Sequence, residues 1–582
     1  RDFRVLYPNA DENDEPKMYS YDGVIRRDPV EKNEIVVAAF TGNLNTTRAF
    51  YIPWNQGAHF DFSKNTIWFP HSELDRHVQM HQPDLLIYTG DNLYEGHPYR
   101  SDKSGGFSSY LNYLNKWYLF YWAHGDLTRL IPSVMIPDDH DVFQINFWGE
   151  GGKNARPLPE DESELPERYR TKPWLYSHEY GGYEMPADWV RMVERTQTSH
   201  LPDPFDLRPV EQGIGVYFTD LLYGEISFAI LEDRKFKSSP NNVAPDAKML
   251  GGFPLDPDYD TRKADVPEAV LLGERQLEFL RHWAADWQGA QMKATISQTI
   301  FANVATKPRD TNKLKEGHGK GDPIPKGTYP EDHIPAKDFD SNGWPQTGRN
   351  KALAEIRKGF GFMIAGDQHL GSVVHHGIDE WEDAGYSFCV PAIANIAPRR
   401  WVPHYKGENH IEGMPRYTGR YQDGFGNHIT VHAASNPFET GKQPAELHDR
   451  ATGYGIIRFN KNEQKITMEC WPRFADPESD DQFPGWHIII SMYDNYGRKS
   501  AAWLPELKFK GVEQPVVQII DESTDEIVYT VRATPKSFRP KVFEPGKYTI
   551  LIGEPGTEEM KRFSGISAVE SIDARSIDII FE

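Results

Sequence analysis

Short apolar runs that end in acidic residues constrain the fold of this chain more than any other feature. Leu85–Tyr88 carries no charge, as expected for a strand buried on both faces of a sheet, and Asp91 follows three residues later. Tyr94 and Glu95 come within one further turn. Ligands of α/β sheets bind in the crevice outside the carboxyl ends of the strands, so this pattern predicts that all three side chains face such a crevice.

Two later stretches repeat this design. Residues 130–136 form an apolar run that precedes Asp138, Asp139, His140 and Asp141, and residues 360–365 form one that precedes Gly366, Asp367 and His369. Each aspartate alone is also explained as the N-cap of a following helix. Three separate caps would be a coincidence, whereas one shared site explains them together. Clustered carboxylates repel one another unless a cation lies among them, so the sequence predicts a cation site.

The net charge of the 582-residue chain is −22, and this limits its partners. A nucleic-acid scaffold would need a basic face, so nucleic-acid binding is not expected, and an anionic substrate would need local cations. No run of eighteen apolar residues occurs, so no membrane span is predicted. The two cysteines, Cys389 and Cys470, leave open whether a disulfide forms.

The chain divides into three predicted parts. Residues 1–33 are charged and rich in turn-forming residues, and are interpreted as an extended lead-in. Residues 34–484 alternate buried strands with helical segments, the pattern of a layered α/β core. Residues 485–582 contain short strands separated by turn signals, and are predicted to form an all-β sandwich.

Other motifs with chemical meaning fail on inspection. Residues 338–343 begin like a calcium-binding EF-hand loop, but the twelfth position, which needs a Glu, is Arg349, so this loop is interpreted as lining the pocket. Residues 317–321 suggest a phosphate loop, but no strand precedes them and no Ser or Thr follows Lys320. No Gly-x-Ser-x-Gly motif occurs, and neither cysteine follows a buried strand with a His nearby, so Ser or Cys nucleophiles have no support.

The order of the acidic motifs resembles that of the calcineurin-like metallophosphatases, and more closely that of the alkaline phosphatase D family. The matching segments are Gly90-Asp91-Asn92-Leu93-Tyr94, Asp138-Asp139-His140-Asp141 and Gly366-Asp367-Gln368-His369, within a resemblance that covers roughly residues 34–470. The resemblance implies a four-layer α/β sandwich with a dinuclear metal centre. It also implies hydrolysis of phosphate monoesters or diesters by a metal-bound water or hydroxide that attacks phosphorus in line.

The resemblance also implies roles for individual residues. Asp91 would bridge both metals, Tyr94 and His369 would bind the first, and Asp139 and Asp367 would bind the second. His140 would contact the phosphate and assist the leaving oxygen, with Asp141 orienting it. Weaker candidates are Arg234 for the phosphate and Gln298 for the second metal. The family's first motif normally supplies an Asp or Cys ligand, and here the equivalent turn offers Asn43 or Asn45, whose side chains are equally well explained as stabilising the turn.

These donors suit hard cations. Phenolate and carboxylate oxygens favour Fe³⁺ at the first position, and an oxygen-rich second position favours Ca²⁺ over Zn²⁺, with Zn²⁺ or Mn²⁺ as the remaining choices. The substrate would be a small phosphate ester. Such enzymes are usually exported, and a chain that begins at Arg1 without Met fits a mature protein whose leader is gone, so an extracytoplasmic location is expected. The alternative is a non-catalytic, metal-stabilised binding or cell-surface module, which would have no use for His140.

Overall fold

Two β-sheets that lie face to face form the centre of the protein. The computed structural model describes residues 1–8, 18–44, 69–310, 323–395, 397–443 and 445–581. The first sheet contains six strands of these residues: β3 (Glu34–Phe40), β4 (Leu85–Tyr88), β5 (Ser133–Met135), β18 (Gly453–Asn460), β19 (Lys465–Pro472) and β20 (Ile488–Ser491). Their order is β20-β19-β18-β3-β4-β5, and β3, β4 and β5 are parallel.

The second sheet is larger and also mixed. It contains β6 (Thr219–Tyr223), β7 (Ile226–Ile230), β10 (Met292–Thr299), β13 (Phe362–Gly366), β14 (Ser372–His376), β15 (Tyr386–Cys389), β16 (Gly419–Gln422) and β17 (His428–Ala434). The order is β16-β17-β14-β15-β13-β10-β7-β6, with β7, β10, β13 and β15 parallel. The parallel strands sit in the middle, where they are covered on both faces.

Helices cover the outer face of each sheet. The helices of the described residues are α1 (Phe69–Met80), α2 (Phe107–Ala123), α3 (Gly125–Thr128), α4 (Trp174–Glu179), α5 (Ala187–Thr198), α6 (Pro240–Val243), α7 (Gly273–Ala285), α8 (Gln346–Lys358) and α9 (Ala445–His448). None of them combines the length and the apolar character that crossing a bilayer requires.

The hydrophobic clusters follow from the alternation of side chains along each strand. Val37 and Ile87 of the first sheet pack with Phe228 and Ile296 of the second in one core between the sheets. The alternate residues of the first sheet pack against α1 and α2, and those of the second sheet pack against α7 and α8. The predicted four-layer α/β sandwich is therefore confirmed.

The C-terminal part contains only strands and turns in residues 502–580. Its strands are β21 (Ala502–Trp503), β22 (Glu506–Lys510), β23 (Val516–Asp521), β24 (Ile527–Arg532), β25 (Ser537–Phe538), β26 (Lys541–Val542), β27 (Lys547–Gly553), β28 (Lys561–Ser567) and β29 (Ser576–Ile580). They form sheets of four, three and two strands. The strand at 488–491 pairs with β19 and belongs to the core sheet, unlike in the predicted division.

The N-terminal residues form a hairpin rather than a plain extended lead-in. Strands β1 (Asp2–Pro8) and β2 (Met18–Val24) pair antiparallel. Shorter ribbons join β8 (Met249–Leu250) to β9 (Phe253–Pro254) and β11 (Thr306–Pro308) to β12 (His333–Pro335). The 3-10 helices are His140–Val142, Glu162–Glu164, Glu167–Tyr169, Glu211–Gly213, Pro245–Ala247, Thr261–Ala264 and Met492–Asn495.

The carboxyl ends of parallel strands from both sheets meet at one place. A Cβ atom on Gly366, at the end of β13, would lie 2.2 Å from Oγ1 of Thr89 and 2.6 Å from Oγ1 of Thr41, which follow β4 and β3. Only a residue without a side chain lets the two sheets approach this closely. The aspartates that follow β4 and β13 are brought together as a result.

We therefore expect Gly366→Ala to lower the free energy of unfolding by about 1 to 3 kcal/mol, because the new methyl group overlaps both threonine hydroxyls. Gly546→Ala is the control, since the nearest neighbour of its Cβ would be 3.8 Å away. Chemical denaturation measures both variants. Equal midpoints for the two would contradict the close approach of the strands.

Candidate metal centre

Four buried aspartates converge where these strands end. Ligand atoms of Asp138, Asp139 and Asp367 all lie within 4.8 Å of one another, and so do those of Asp91, Asp139 and His140. Asp139 belongs to both groups, so the two sets form one continuous centre. Each of the four aspartates is at most 4% exposed. This geometry brings the three acidic motifs together at one site.

The turns that carry these groups are conformationally strained. Asp91, Asp367 and His369 have φ angles of 56°, 64° and 56°, in the left-handed region that few residues other than glycine adopt. Such strain persists where the surrounding structure imposes it, and it is concentrated at functional sites. A Cβ on the preceding Gly90 would lie 2.5 Å from Cβ of Asp138, so glycine is required for the β4 and β5 turns to touch.

Only one of the two carboxylate oxygens of Asp91 has hydrogen-bond donors near it. The Tyr94 hydroxyl donates to its Oδ2 over 2.6 Å, and Nε2 of His369 lies 3.2 Å from the same atom. Asn395 donates to the Tyr94 hydroxyl over 2.8 Å. The other oxygen, Oδ1, is buried and has no hydrogen-bond partner. A buried carboxylate oxygen without a partner is costly, and a cation would satisfy it.

Burial raises the pKa of each of the four aspartates, and the neighbouring charged groups determine whether the pKa ends above or below its usual value. At Asp91 burial raises the pKa, but His140, His369 and Tyr94 outweigh it, so the pKa lies below its usual value. Burial raises the pKa of Asp138 and Asp139 well above the usual value, and the nearby carboxylates add to this effect. Burial likewise raises the pKa of Asp367 to about 6. Oδ2 of Asp138 also has no hydrogen-bond partner.

Two buried arginines neutralise part of this charge. Arg234 contacts Asp138 over 2.6 Å, Asp340 over 2.5 Å and Asp367 over 2.8 Å, so one guanidinium lies against three carboxylates. Its Nη2 atom, on the side of Asp367, makes no hydrogen bond. This geometry gives Arg234 a positioning role, while its contact with phosphate stays a prediction.

Arg399 adds a second cation, at 2.8 Å from a carboxylate oxygen of Asp338 and 3.8 Å from Asp340. The loop at 338–343 does line the site, as expected. Across the described residues, six aspartates face two arginines, two histidines and Lys237, whose ammonium donates to Asp340 O over 2.6 Å. The aspartates are Asp91, Asp138, Asp139, Asp338, Asp340 and Asp367.

The partner of His140 is Glu95 rather than the predicted Asp141. Nδ1 of His140 lies 2.7 Å from Oε2 of Glu95. Burial lowers the pKa of His140, but Glu95, Asp139 and Asp91 outweigh it and raise that pKa well above its usual value. Burial raises the pKa of Glu95, but His140 outweighs it and lowers that pKa to about 2.

Asp141 instead organises the turn. Its carboxylate accepts from the backbone N–H groups of Asn92, Leu93 and Asp138, and from the side chain of Gln197 over 2.8 Å. Burial raises the pKa of Asp141 to about 7. The geometry thus ties together the loops after β4 and β5, and gives Asp141 a structural role instead of the predicted catalytic one.

Two weaker candidates are engaged elsewhere. The Gln298 amide donates to Pro137 O and to the Tyr217 hydroxyl, and its Oε1 accepts from Asp233 N, which replaces the predicted metal role. The Asn43 side chain lies 3.0 Å from Nε2 of His124 and donates to Asn92 O, as the turn-stabilising alternative predicts. Asn45 and residues 317–321 lie outside the described residues.

Sequence reasoning missed several members of the centre. Asp138 directly precedes the predicted ligand Asp139 but was given no role of its own. Glu95 directly follows the predicted ligand Tyr94, and no partner was predicted for it. Asp338, Asp340 and Arg399 come from loops far apart along the chain, so no local pattern marks their meeting. The one available signal was the acidic loop at 338–343.

Buried Lys116 of α2 fixes the loop that carries Tyr94 and Glu95. Its ammonium donates to the carbonyl oxygens of Tyr94, His97 and Tyr99 over 3.0, 2.5 and 2.6 Å. Burial lowers the pKa of Lys116 to about 7. The helix layer is in this way connected directly to the metal centre.

Comparisons with known proteins give few matches. No protein-family model and no curated protein matches the chain. A structure of PhoD is similar with a TM-score of 0.45 and 12% identity, over 83% of this chain and 74% of that one. Purple acid phosphatase PPD1 from yellow lupin (Lupinus luteus) seeds is similar with a TM-score of 0.37 and 10% identity, over 84% of this chain and 60% of that one. Likeness at this level supports no conclusion about activity.

We expect Lys116→Met to loosen the loop at 94–99, because three carbonyl oxygens lose their donor at once. The free energy of unfolding should fall by about 3 kcal/mol, and amide hydrogen exchange in the loop should accelerate. Lys508→Met, whose lysine side chain is 52% exposed, is the matched control. Unchanged exchange at 94–99 in Lys116→Met would show that the loop does not depend on this lysine.

Proposed function

We propose that this protein is a metal-dependent hydrolase of phosphate esters that uses two cations. One observation supports this above all: six buried aspartates meet two arginines, and oxygens of Asp91 and Asp138 have no hydrogen-bond partner. A buried excess of negative charge is unfavourable without further cations. The same cations would let an acidic protein hold an anionic substrate.

The donor set suits two different ions. Asp91, Tyr94 and His369 would hold the first, for which the phenol oxygen favours Fe³⁺. Asp139 and Asp367 would hold the second together with Asp138, whose ligand atom lies within 4.8 Å of theirs. Three carboxylates without a nitrogen or sulfur donor favour Ca²⁺, with Mn²⁺ or Zn²⁺ as alternatives.

When bound, such a pair of ions clamps the phosphoryl group and makes a water nucleophilic at neutral pH. The protein's own groups carry the remaining steps. Glu95 occupies Nδ1 of His140, so Nε2 is the ring atom left to give a proton to the leaving oxygen. Arg234 holds Asp138 and Asp367 in place. An extracytoplasmic location, where calcium is plentiful, fits this proposal.

The alternative is a module in which metal serves stability alone. That alternative predicts metal content without turnover and gives the His140–Glu95 pair no purpose. The pair is partly buried and held at 2.7 Å beside the acidic centre, and this favours the hydrolase.

The first test removes the carboxylate of Asp91, which is proposed to bridge the two ions. Asp91→Asn should lose both metals and nearly all release of nitrophenol from mono- and bis(nitrophenyl) phosphate. Elemental mass spectrometry measures the metals, and the two substrates separate monoesterase from diesterase activity. Asp126→Asn, an exposed aspartate on α3, is the control. Wild-type protein that carries two metals and hydrolyses neither ester would contradict the hydrolase and leave the binding module.

The second test separates proton donation from metal binding. His140→Ala should keep its metals and lose about 10² to 10⁴ in turnover, the usual contribution of acid–base help. Glu95→Gln should have a smaller loss of turnover than His140→Ala. It should also shift the alkaline limb of the pH–rate profile to lower pH, because the variant lacks the carboxylate that raises the pKa of the His140 imidazole. Full turnover in His140→Ala would assign this histidine a packing role only.

The third test identifies the first metal. Phenolate bound to Fe³⁺ absorbs visible light, so the wild-type protein should be coloured and Tyr94→Phe should be colourless. Only one hydroxyl is removed, so the melting temperature should stay close to that of wild type. Colour that persists in Tyr94→Phe would exclude this tyrosine as a ligand, and a colourless, active wild type would exclude iron.

A further inference from the structure

The outer face of α2 exposes an apolar stripe. Phe107, Leu111, Leu114 and Tyr118 are 78%, 52%, 41% and 63% exposed. Their spacing of four, three and four residues places them in one line along the helix, which extends for about 16 Å. These side chains therefore form one continuous patch.

The opposite face of α2 is also apolar. Tyr113, Trp117 and Phe120 are buried against the first sheet. A helix that is hydrophobic on all sides is normally buried on all sides, whereas a surface helix carries charged residues outward. The only charged residue among the 17 of α2 is Lys116, and it is buried. The outer face of α2 thus has the composition of a contact surface.

The area of the stripe fits a protein interface. From these exposures and the size of the side chains, the four residues expose on the order of 400 Å² of largely apolar surface. Patches of this size on a soluble protein mark interaction sites. A standard interface buries about 800 Å² per partner, of which somewhat more than half is non-polar. The stripe alone supplies most of the apolar area that such a face needs.

The distribution of charge favours a second copy of this chain as the partner. The chain has a net charge of −22, so two copies repel one another over most of their surface and meet best through a face without charge. A two-fold contact sets a patch against its own copy, which requires that the patch hold no charges of one sign. Helices that lie on membranes instead carry Lys and Arg beside the apolar face, and α2 exposes neither.

We propose that the outer face of α2 is the interface through which two copies of this chain associate around a two-fold axis. The N-terminal hairpin contacts the residues that follow the end of α2. Tyr21 donates to Gly125 O and Val24 N donates to Arg129 O, while Val5 and Leu6 are 52% and 60% exposed. An isolated two-stranded hairpin is marginally stable, so covering it by a second copy would also stabilise the hairpin.

Sedimentation equilibrium of the whole protein tests this proposal. Wild type should have twice the mass of one 66.7 kDa chain, with a Kd of about 1 µM or tighter. Leu111→Glu should weaken association at least ~100-fold, because it sets like charges against an apolar partner. Ile411→Glu, whose isoleucine is 70% exposed on a separate loop, should leave the mass unchanged. A mixture of Leu111→Glu and Leu111→Lys chains should associate more tightly than either variant alone.

Other occupants of the stripe give different results. Wild type with the mass of one chain at about 100 µM would overturn the proposal, because an interface of this size would associate there. Co-sedimentation of that monomer with neutral phosphatidylcholine vesicles would assign the stripe to lipid instead. A wild-type dimer that Leu111→Glu leaves intact would place the interface elsewhere and would equally refute it.

Discussion

An excess of buried carboxylates over cations, at the point where parallel strands of both sheets end, is the constraint on which this structure depends. Charges of one sign at these separations repel strongly in a poorly solvated interior. The single charge of Arg234 lies against three of the aspartates, and oxygens of Asp91 and Asp138 stay without a hydrogen-bond partner. The strained backbone of Asp91 and Asp367, and the closeness that Gly366 permits, are explained as means of holding carboxylates around cations.

The layers around the sheets contribute differently to this centre. The helix α2 buries Lys116 beneath the loop of Tyr94 and Glu95, and so fixes the geometry of the residues next to Asp91. The same helix exposes its other face. Because one rigid element serves both surfaces, association through α2 would hold the loop at 94–99 more firmly than packing within one chain does.

Local sequence patterns predicted the features that are determined by residues close together in the chain, which are the buried strands and the aspartates that follow them. Each apolar run ends in its aspartate because a buried strand must leave the sheet there, so Asp91 and Asp367 were found from the sequence alone. The partners of these residues depend on contacts between distant loops, and no local pattern reveals that Glu95 pairs with His140. Gln298 was a reasonable candidate at a strand end, but a long-range contact with Tyr217 occupies its amide. The strand at 488–491 was recognised as a strand, whereas its sheet is decided by pairing with β19.

The most direct measurement is anomalous X-ray diffraction from crystals of the native protein, at wavelengths above and below the iron edge and at a long wavelength sensitive to calcium. We expect two peaks on either side of Asp91, one within ligand distance of Tyr94 and His369 and the other among the remaining carboxylates. Typical metal–oxygen distances are about 2.0 to 2.6 Å. Density without any anomalous peak at this point, in protein that hydrolyses phosphate esters, would contradict the central claim.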